Sequence, residues 1–134
     1  CSSDLIVAYS PLGRGLLTGA IKSVDDVPLD DYRRSQPRFA EHMEENLKLV
    51  KVVEEMAAKK GCTPGQVAIA WLHAQGEDVF PIPGTKRVSR LEENVAAFNI
   101  HLSEDELKQL STIGDQVKGT RYDEHGMKLT FGHS

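Results

Sequence analysis

The chain alternates between short apolar runs and segments in which apolar residues recur at helical spacing. Residues 5–9, LIVAY, form one apolar run that ends at Ser10-Pro11, and residues 79–82, VFPI, form another. A run of this length beside turn residues is typical of a strand that is buried on both faces in a parallel sheet. We therefore predict a β-strand at each of these two places.

Four other segments show the period of an α-helix. In residues 46–60 the apolar positions fall on one face, and Gly61 is suited to end the helix. Residues 63–76, TPGQVAIAWLHAQG, are apolar nearly all round, and Thr63 and Pro64 suit the first turn, so this helix is expected to be largely buried. Two further helices are predicted, over residues 90–98 and, after the capping box SEDE at residues 103–106, through residue 113.

The remaining segments lack either period. Residues 11–19, PLGRGLLTG, contain three glycines and are predicted to form a loop. Residues 25–39 are polar and contain two prolines, so we predict one long loop, of the kind that is usually functional or mobile. No element is assigned after residue 115.

The order of the predicted elements is strand, loop, two helices, strand, loop and two helices. Strands that alternate with helices indicate parallel βα units. Two strands alone would leave both sheet edges and both apolar faces exposed. Because the sequence also begins CSSDLIVAYS, without an initiator Met, we expect residues 1–134 to be a single partial domain that requires a missing preceding part or self-association.

Composition and charge narrow the class of protein. The 134 residues are 40% hydrophobic and 27% charged, as in an ordinary globular domain, and the net charge of -4 argues against a general nucleic-acid or anionic-membrane binder. The longest apolar run, about six residues, is far shorter than the roughly 20 residues of a membrane-spanning helix. Two cysteines do not form a disulfide framework, so a reducing, cytoplasmic location is predicted.

The segment PIPGTKRVSRLEEN at residues 81–94 combines a strand end, a Gly-Thr turn, three cations and the start of a helix. Glycine lets the backbone approach a ligand closely, and the free N–H groups and dipole of a helix N-terminus favour a phosphate. Lys86, Arg87 and Arg90 add positive charge, and an arginine can bind phosphate through two hydrogen bonds.

Glu93 and Asn94, one turn further on, could hydrogen-bond an exocyclic amine such as that of adenine, so the segment is compatible with a nucleotide site. Two other interpretations remain open. The charges could belong to a solvated helix start that binds nothing, or the cations could form a nuclear-targeting or nucleic-acid patch. Three cations followed at once by two carboxylates are few for such a patch. Spacing alone does not decide among the three.

Three motifs together resemble one family. IVAYSPLGRGLLTG, TPGQVAIAWLHAQG and VFPIPGTKRVSRLEENVAA agree in order and spacing with the C-terminal part of aldo-keto reductases. The branch that the chain resembles contains perakine and pyridoxal reductases, and the closing GTRYDEHGMKLTF supports that branch. The resemblance implies an α/β fold, namely the C-terminal portion of a (β/α)8 TIM barrel from strand 7 to helix 8 plus a C-terminal helix, incomplete on its own.

The resemblance also implies a function. The parent protein would be an NADP(H)-dependent oxidoreductase that reduces a small carbonyl substrate, an aldehyde or ketone, by hydride transfer, with neither nucleic acid nor membrane as partner. The family's catalytic Asp, Tyr, Lys and His lie on earlier strands, so no catalytic residue is expected in this chain. No metal is expected, since the five histidines lack metal-ligand spacing with Cys1 or Cys62. The alternative is a non-catalytic nucleotide-binding, scaffold or regulatory subunit.

The first group of site residues is carried over from the motif after the first strand. Tyr9 is expected to stack on the nicotinamide ring, with a core aromatic as the ordinary alternative. Ser10, Leu12, Gly13 and Arg14, in SPLGRG, are expected to follow the cofactor's pyrophosphate. The alternative for this glycine-rich segment is a simple turn.

The second group binds the nucleotide end of the cofactor, and it consists of Gly84, Thr85, Lys86, Arg90, Glu93 and Asn94. Arg90 is the expected main cationic contact of the 2′-phosphate. Arg34 and Arg38 are expected in a loop that folds over the cofactor, with a solvated loop as the alternative. Arg87 stands where many relatives have a Ser or Thr cap, so the helix start is expected to move to Ser89, where SRLE offers a capping box.

Overall fold

Two parallel strands joined through helices form the centre of the structure. The computed structural model describes residues 5–120. Strand β1 (Ile6–Tyr9) lies beside strand β2 (Val79–Ile82), in a parallel register that starts with Ile6 opposite Val79. Both predicted strands are confirmed, and β1 is one residue shorter than its apolar run. The parallel pairing also confirms the prediction of βα units.

Helices occupy much of the remaining described chain. The α-helices are α1 (Pro37–Ala40), α2 (Met43–Lys60), α3 (Pro64–His73), α4 (Val88–Ala96) and α5 (Glu104–Asp115). Short 3₁₀ helices lie at Gly13–Thr18, Val24–Asp26, Tyr32–Ser35 and Ala97–Asn99. The four predicted helices correspond to α2 through α5, with ends that differ by a few residues. Within residues 5–120, none of the helices has the length and apolar character needed to cross a membrane.

The prediction of one long loop over residues 25–39 was wrong. Side-chain caps fold this polar segment into short helices: the Asp26 carboxylate accepts two backbone hydrogen bonds, and the Asp31 carboxylate accepts one from the Arg33 N–H. Pro37 then starts α1 at a position where its missing N–H costs nothing. Local bonds of this kind have no hydrophobic period, which is why the pattern of apolar residues did not indicate them.

A tight turn joins α2 to α3. Gly61 ends α2 in the left-handed conformation, with a φ of 66°, which glycine adopts without a Cβ clash. Thr63 caps α3, since its hydroxyl accepts a hydrogen bond from the Gln66 N–H at 3.2 Å. Every residue of α3 is buried or half-buried, which confirms the predicted burial. The capping box of Ser103 and Glu106 at the start of α5 is also confirmed.

Helix α2 contributes to two hydrophobic clusters. The first consists of Leu16, Ile21, Val27, Phe39, Met43 and Val50. The second consists of Val53, Met56, Ala57, Val67 and Leu110. Because successive turns of α2 supply both clusters, this helix ties the segment that follows β1 to α3 and α5. The predicted apolar face of α2 is the face that is buried.

Apolar side chains of both strands and of α4 are exposed. In β1, Ile6 and Val7 alternate between the two faces, yet 55% and 56% of their surfaces are accessible to solvent. Helix α4 carries a further exposed stripe formed by Val88, Leu91 and Val95, and Phe98 in the 3₁₀ helix Ala97–Asn99 is also exposed. The sequence pattern is that of strands buried on both faces, and residues 5–120 do not supply that burial, as expected for two strands without further partners.

Candidate functional site

A pocket of about 400 Å³ lies where the two strands end. Its lining is formed by Ser10, Pro11, Leu12, Arg14, Gly15, Thr18, Gly65, Pro83, Gly84, Thr85, Arg90, Glu93 and Asn94. Six of these residues follow β1, six follow β2, and Gly65 belongs to α3. Because β1 and β2 are parallel, the segments that leave their carboxyl ends meet at one edge, which is where βα proteins bind ligands.

The backbone after β1 turns sharply. Ser10 and Arg14 have φ values of 50° and 57°, a left-handed conformation that costs a residue with a Cβ about 1–2 kcal/mol. Hydrogen bonds hold it in place, since Gly13 N–H donates to Ser10 O and Gly15 N–H donates to Leu12 O, each at 3.0 Å. The predicted loop therefore contains a kinked 3₁₀ helix. Backbone strain of this kind is concentrated at ligand-binding segments.

Two side chains of the 3₁₀ helix Tyr32–Ser35 contact Arg14. Arg33 Nη1 donates to the Arg14 backbone oxygen at 3.0 Å, and the Arg14 guanidinium carbon lies 5.4 Å from the centre of the Tyr32 ring, within range of a cation–π attraction. Arg33 is itself bound by Asp31, whose carboxylate accepts from Nε and Nη2 at 3.0 and 2.7 Å. Sequence reasoning missed these three residues. The carboxylate two positions before an arginine, in DYR, was the available signal.

A decrease in pH is expected to weaken the interaction between Asp31 and Arg33 and so to lower the stability of the protein. The Arg33 side chain, and after it the Arg33 backbone N–H, lower the pKa of Asp31 from 3.8 to about 2. Between these values the unfolded chain binds more protons than the folded protein, so the free energy of unfolding falls as the pH falls. We expect the stability advantage of the wild type over Asp31→Asn to be complete above about pH 4 and lost toward about pH 2, as measured by denaturant unfolding.

An Arg33→Gln background is the control for this pH dependence. Without the guanidinium, the main cause of the lowered Asp31 pKa is absent and the hydrogen bond from the backbone N–H at position 33 remains, so the pH dependence of the advantage over Asp31→Asn should become smaller in the same range. A wild-type advantage that stays constant between about pH 4 and pH 2 would contradict the proposed pairing.

The wall after β2 is a turn that leads into α4. Thr85 Oγ1 accepts a hydrogen bond from the Arg87 N–H at 3.1 Å. Helix α4 begins at Val88, with Arg87 as an N-cap whose side chain makes no capping bond. The prediction that the helix start moves to Ser89 was wrong. Because the Arg87 backbone oxygen already accepts a hydrogen bond from Leu91 N–H, Ser89 lies inside the first turn.

Arg90 and Glu93 form an ion pair on this wall. Arg90 Nη1 lies 2.6 Å from Glu93 Oε2, and 50% of the Arg90 side chain is exposed against 22% for Glu93. Glu93 Oε1 accepts a hydrogen bond from Thr63 Oγ1 at 2.8 Å. The next residue, Asn94, is buried. The pocket thus presents an accessible cation beside a shielded carboxylate and amide, a set suited to an anion and a neighbouring amine.

Most of the predicted binding residues line the pocket, namely Ser10, Leu12, Arg14, Gly84, Thr85, Arg90, Glu93 and Asn94. Gly13 and Arg38 instead line a smaller adjoining cavity of about 20 Å³. Tyr9 and Lys86 are exposed and lie outside both linings. Arg34 also lies outside them. Its Nε and Nη2 donate to the backbone oxygens of Val27 and Val24 at 2.8 and 3.0 Å.

Five lining residues were not predicted: Pro11, Gly15, Thr18, Gly65 and Pro83. Gly65 is the informative one, because a Cβ built there would lie 3.4 Å from Leu12 Cδ2 and 3.9 Å from Glu93 Oε1. A Cβ at this position would be in ordinary van der Waals contact with both side chains and would fill part of the space between the two walls. Among residues 5–120, no group of three or more His, Cys, Asp or Glu side chains is placed to hold a metal ion.

Comparison with known proteins agrees with this architecture. A family model described as "Aldo/keto reductase family" matches residues 4–115. Aldo-keto reductase yakc [NADP(+)] of Schizosaccharomyces pombe is 51% identical over 120 residues, which are 87% of this chain and 35% of the relative. Aldo-keto reductase str7 of Strobilurus tenacellus is 44% identical over 127 residues, 92% of this chain and 38% of that protein.

A solved structure of an aldo-keto reductase is also similar to this chain. The thermostable aldo-keto reductase Tm1743, crystallised with the inhibitor epalrestat, superposes with a TM-score of 0.57 and 34% identity over 82% of this chain and 30% of that chain. The chain thus spans between 30% and 38% of the length of these relatives. Since the family model covers most of the sequence and the motifs lie on the walls of one pocket, the chain belongs to the aldo/keto reductase family.

Proposed function

We propose that the whole protein is an NADP(H)-dependent oxidoreductase that reduces aldehydes or ketones to alcohols, and that residues 1–134 form its cofactor-binding side. The observation that carries the proposal is the pocket in which Ser10 and Arg14, after β1, face the same space as Thr85 and Arg90, after β2. The name of the Schizosaccharomyces pombe relative includes NADP(+), which supports this choice of cofactor.

The lining residues fit the phosphorylated end of NADP(H). Arg90 is accessible, at the first turn of α4, where backbone N–H groups and the helix dipole also favour an anion. We assign it to the 2′-phosphate, with Gly84 and Thr85 forming the turn beside it. Glu93 and Asn94 offer acceptors to the adenine amine.

The segment after β1 fits the middle of the cofactor. Its turned backbone and the supported Arg14 side chain provide donors and a positive charge for the pyrophosphate. Ser10, Leu12 and Gly13 lie in the same segment. Tyr9, at the end of β1 and 45% exposed, is assigned to the nicotinamide ring. Lys86 and Arg38 are proposed as outer contacts that approach the bound cofactor.

In this proposal the chain's own residues bind and orient, and the bound nicotinamide supplies the hydride that a carbonyl carbon receives. The groups that protonate the carbonyl oxygen are assigned to a part of the protein outside residues 1–134. Among residues 5–120, none of those that line the pocket is a histidine, tyrosine or lysine.

We further propose that β1 and β2 are strands 7 and 8 of a (β/α)8 barrel, with α4 as helix 8 and α5 as the C-terminal helix. The exposed apolar side chains of β1, β2 and α4 support this, because the neighbouring strands and helices of a barrel would cover them. We also propose, from the motif resemblance, that the protein groups with the perakine and pyridoxal reductase-like branch. From the two cysteines, which are too few for a disulfide framework, we propose that it works in the cytoplasm.

The test of the proposed function is turnover by the full-length gene product. NADPH absorbance is followed with a panel of aldehydes and ketones, and alcohol formation is confirmed by chromatography. We expect NADPH oxidation that depends on the carbonyl compound and is slower with NADH at equal concentration. Absence of oxidation with every carbonyl, combined with tight NADPH binding, would instead support the alternative of a non-catalytic nucleotide-binding or scaffold subunit, for which the exposed apolar faces offer docking surface.

A further inference from the structure

Thr63 has a second role besides capping α3. Its hydroxyl oxygen accepts a hydrogen bond from the Gln66 N–H at 3.2 Å and lies 2.8 Å from Glu93 Oε1. An ionised carboxylate only accepts hydrogen bonds, and a hydroxyl has a single proton to donate. The proton of Thr63 is therefore committed to Glu93, on the wall of the pocket.

Glu93, whose carboxylate is bound by Thr63, in turn binds the side chain of Arg90. The carboxylate oxygen that does not face Thr63 accepts from Arg90 Nη1 at 2.6 Å. Each oxygen of the Glu93 carboxylate thus has its own partner, Thr63 for Oε1 and Arg90 for Oε2. A rotation of the Glu93 side chain would move Oε2, the atom to which Arg90 donates its hydrogen bond.

The backbone of Glu93 is held by the same turn of α3. Gln66 Nε2 donates to the Glu93 backbone oxygen at 2.9 Å, and Gln66 Oε1 accepts from the Thr63 N–H at 3.0 Å. Both the side chain and the main chain of Glu93 are therefore tied to the first turn of α3. The helix that begins with this turn is buried or half-buried along its whole length.

We propose that Thr63 is a positioning residue that acts through Glu93 on Arg90 and so sets the preference for a nucleotide with a 2′-phosphate. Thr63 is not among the lining residues, so its effect does not require contact with the ligand. Holding a long arginine side chain in place before binding reduces the entropy that is lost when the phosphate arrives. The inference rests on the proposed function, since it assumes that Arg90 meets the 2′-phosphate.

Three substitutions of Thr63 separate positioning from helix capping. Thr63→Ser keeps both hydrogen bonds. Thr63→Val removes both. Thr63→Asp keeps an acceptor for the Gln66 N–H, because aspartate is a good N-cap, but replaces the donor to Glu93 with a repelling carboxylate. The dissociation constants of NADPH and NADH are measured by fluorescence titration of the full-length gene product, with thermal unfolding as a separate readout of stability.

We expect Thr63→Ser to keep the wild-type ratio of the NADH to the NADPH dissociation constant. Thr63→Val should lower that ratio about 3- to 10-fold, the effect of one hydrogen bond, and Thr63→Asp should lower it by at least about 10-fold. In an Arg90→Ala background, Thr63→Val should change the ratio no further, because residues that act through one another are not additive.

A residue that only caps α3 would behave differently. Thr63→Val would then weaken the binding of both cofactors equally, and Thr63→Asp would restore both, and this outcome overturns the inference. If the wild type prefers NADPH and Arg90→Ala abolishes that preference while both Thr63→Val and Thr63→Asp retain it, the inference fails and the proposed function stands. If the wild type shows no preference for NADPH, the proposed 2′-phosphate site fails and the inference fails with it.

Discussion

Replacement of Arg90 by alanine is expected to weaken NADPH binding about 10- to 100-fold, because a hydrogen bond to a charged group contributes about 1.5–3 kcal/mol. NADH binding should change little, since NADH has no 2′-phosphate for this guanidinium. The structure provides the reason for choosing Arg90 among the cations of the turn. It lines the pocket and half of its side chain is accessible, whereas Lys86 and Arg87 do not line it.

Arg87→Ala is the matched control for this substitution. It removes the same charge three positions earlier, and the Arg87 side chain makes no capping bond at the start of α4. Both variants therefore change the net charge equally, and Arg90→Ala also removes the ion pair with Glu93. An Arg90→Ala variant with an unchanged ratio of NADPH to NADH affinity, or an Arg87→Ala variant with the larger effect, would show that the phosphate is bound elsewhere.

The second large effect concerns catalysis. Residues 1–134 alone are expected to reduce no carbonyl compound above background with NADPH. The same residues joined behind the preceding part of the Schizosaccharomyces pombe relative, which is 51% identical over the shared region, are expected to be active. General acid–base catalysis alone accelerates a reaction about 100- to 10,000-fold. The rate of the joined protein should therefore exceed that of the isolated chain by at least about 100-fold. Turnover by the isolated chain would contradict the proposed division of roles.

A folding control accompanies this comparison. The isolated chain exposes apolar side chains of β1, β2 and α4, so self-association measured by light scattering is expected for it and not for the joined protein. In the joined protein, Arg90→Ala should raise the KM for NADPH more than it lowers kcat, because Arg90 contacts a part of the cofactor that does not react.

Local pattern was sufficient to predict the main elements of the fold. The apolar runs identified β1 and β2, and the capping signals at Thr63 and Ser103 placed the starts of α3 and α5 correctly. These features depend on residues within a few positions of one another. The same reasoning gave a wrong prediction for residues 25–39. This segment is folded by polar caps such as Asp31 and has no apolar period.

The pocket was only partly predictable for a related reason. Charge and turn chemistry are visible along the sequence and indicated Arg90, whereas Arg14 was implied by the family resemblance of the motif after β1. Gly65 lines the pocket from α3, a helix whose sequence pattern predicts only burial. Thr63, which caps that helix, contacts Glu93 across 30 positions of the chain. Arg33 likewise holds the Arg14 backbone across 19 positions. Contacts of this range depend on the fold and leave no spacing signal.

The binding of 2′,5′-ADP compared with 5′-AMP tests the central claim most directly. The two nucleotides share the adenine and the 5′-phosphate and differ in the 2′-phosphate, and neither requires the nicotinamide site or any catalytic group. Calorimetric titration of the full-length gene product should give an affinity for 2′,5′-ADP at least about 10-fold higher, with the difference lost in Arg90→Ala. Equal affinities for the two nucleotides in the wild type would contradict a 2′-phosphate site at the start of α4.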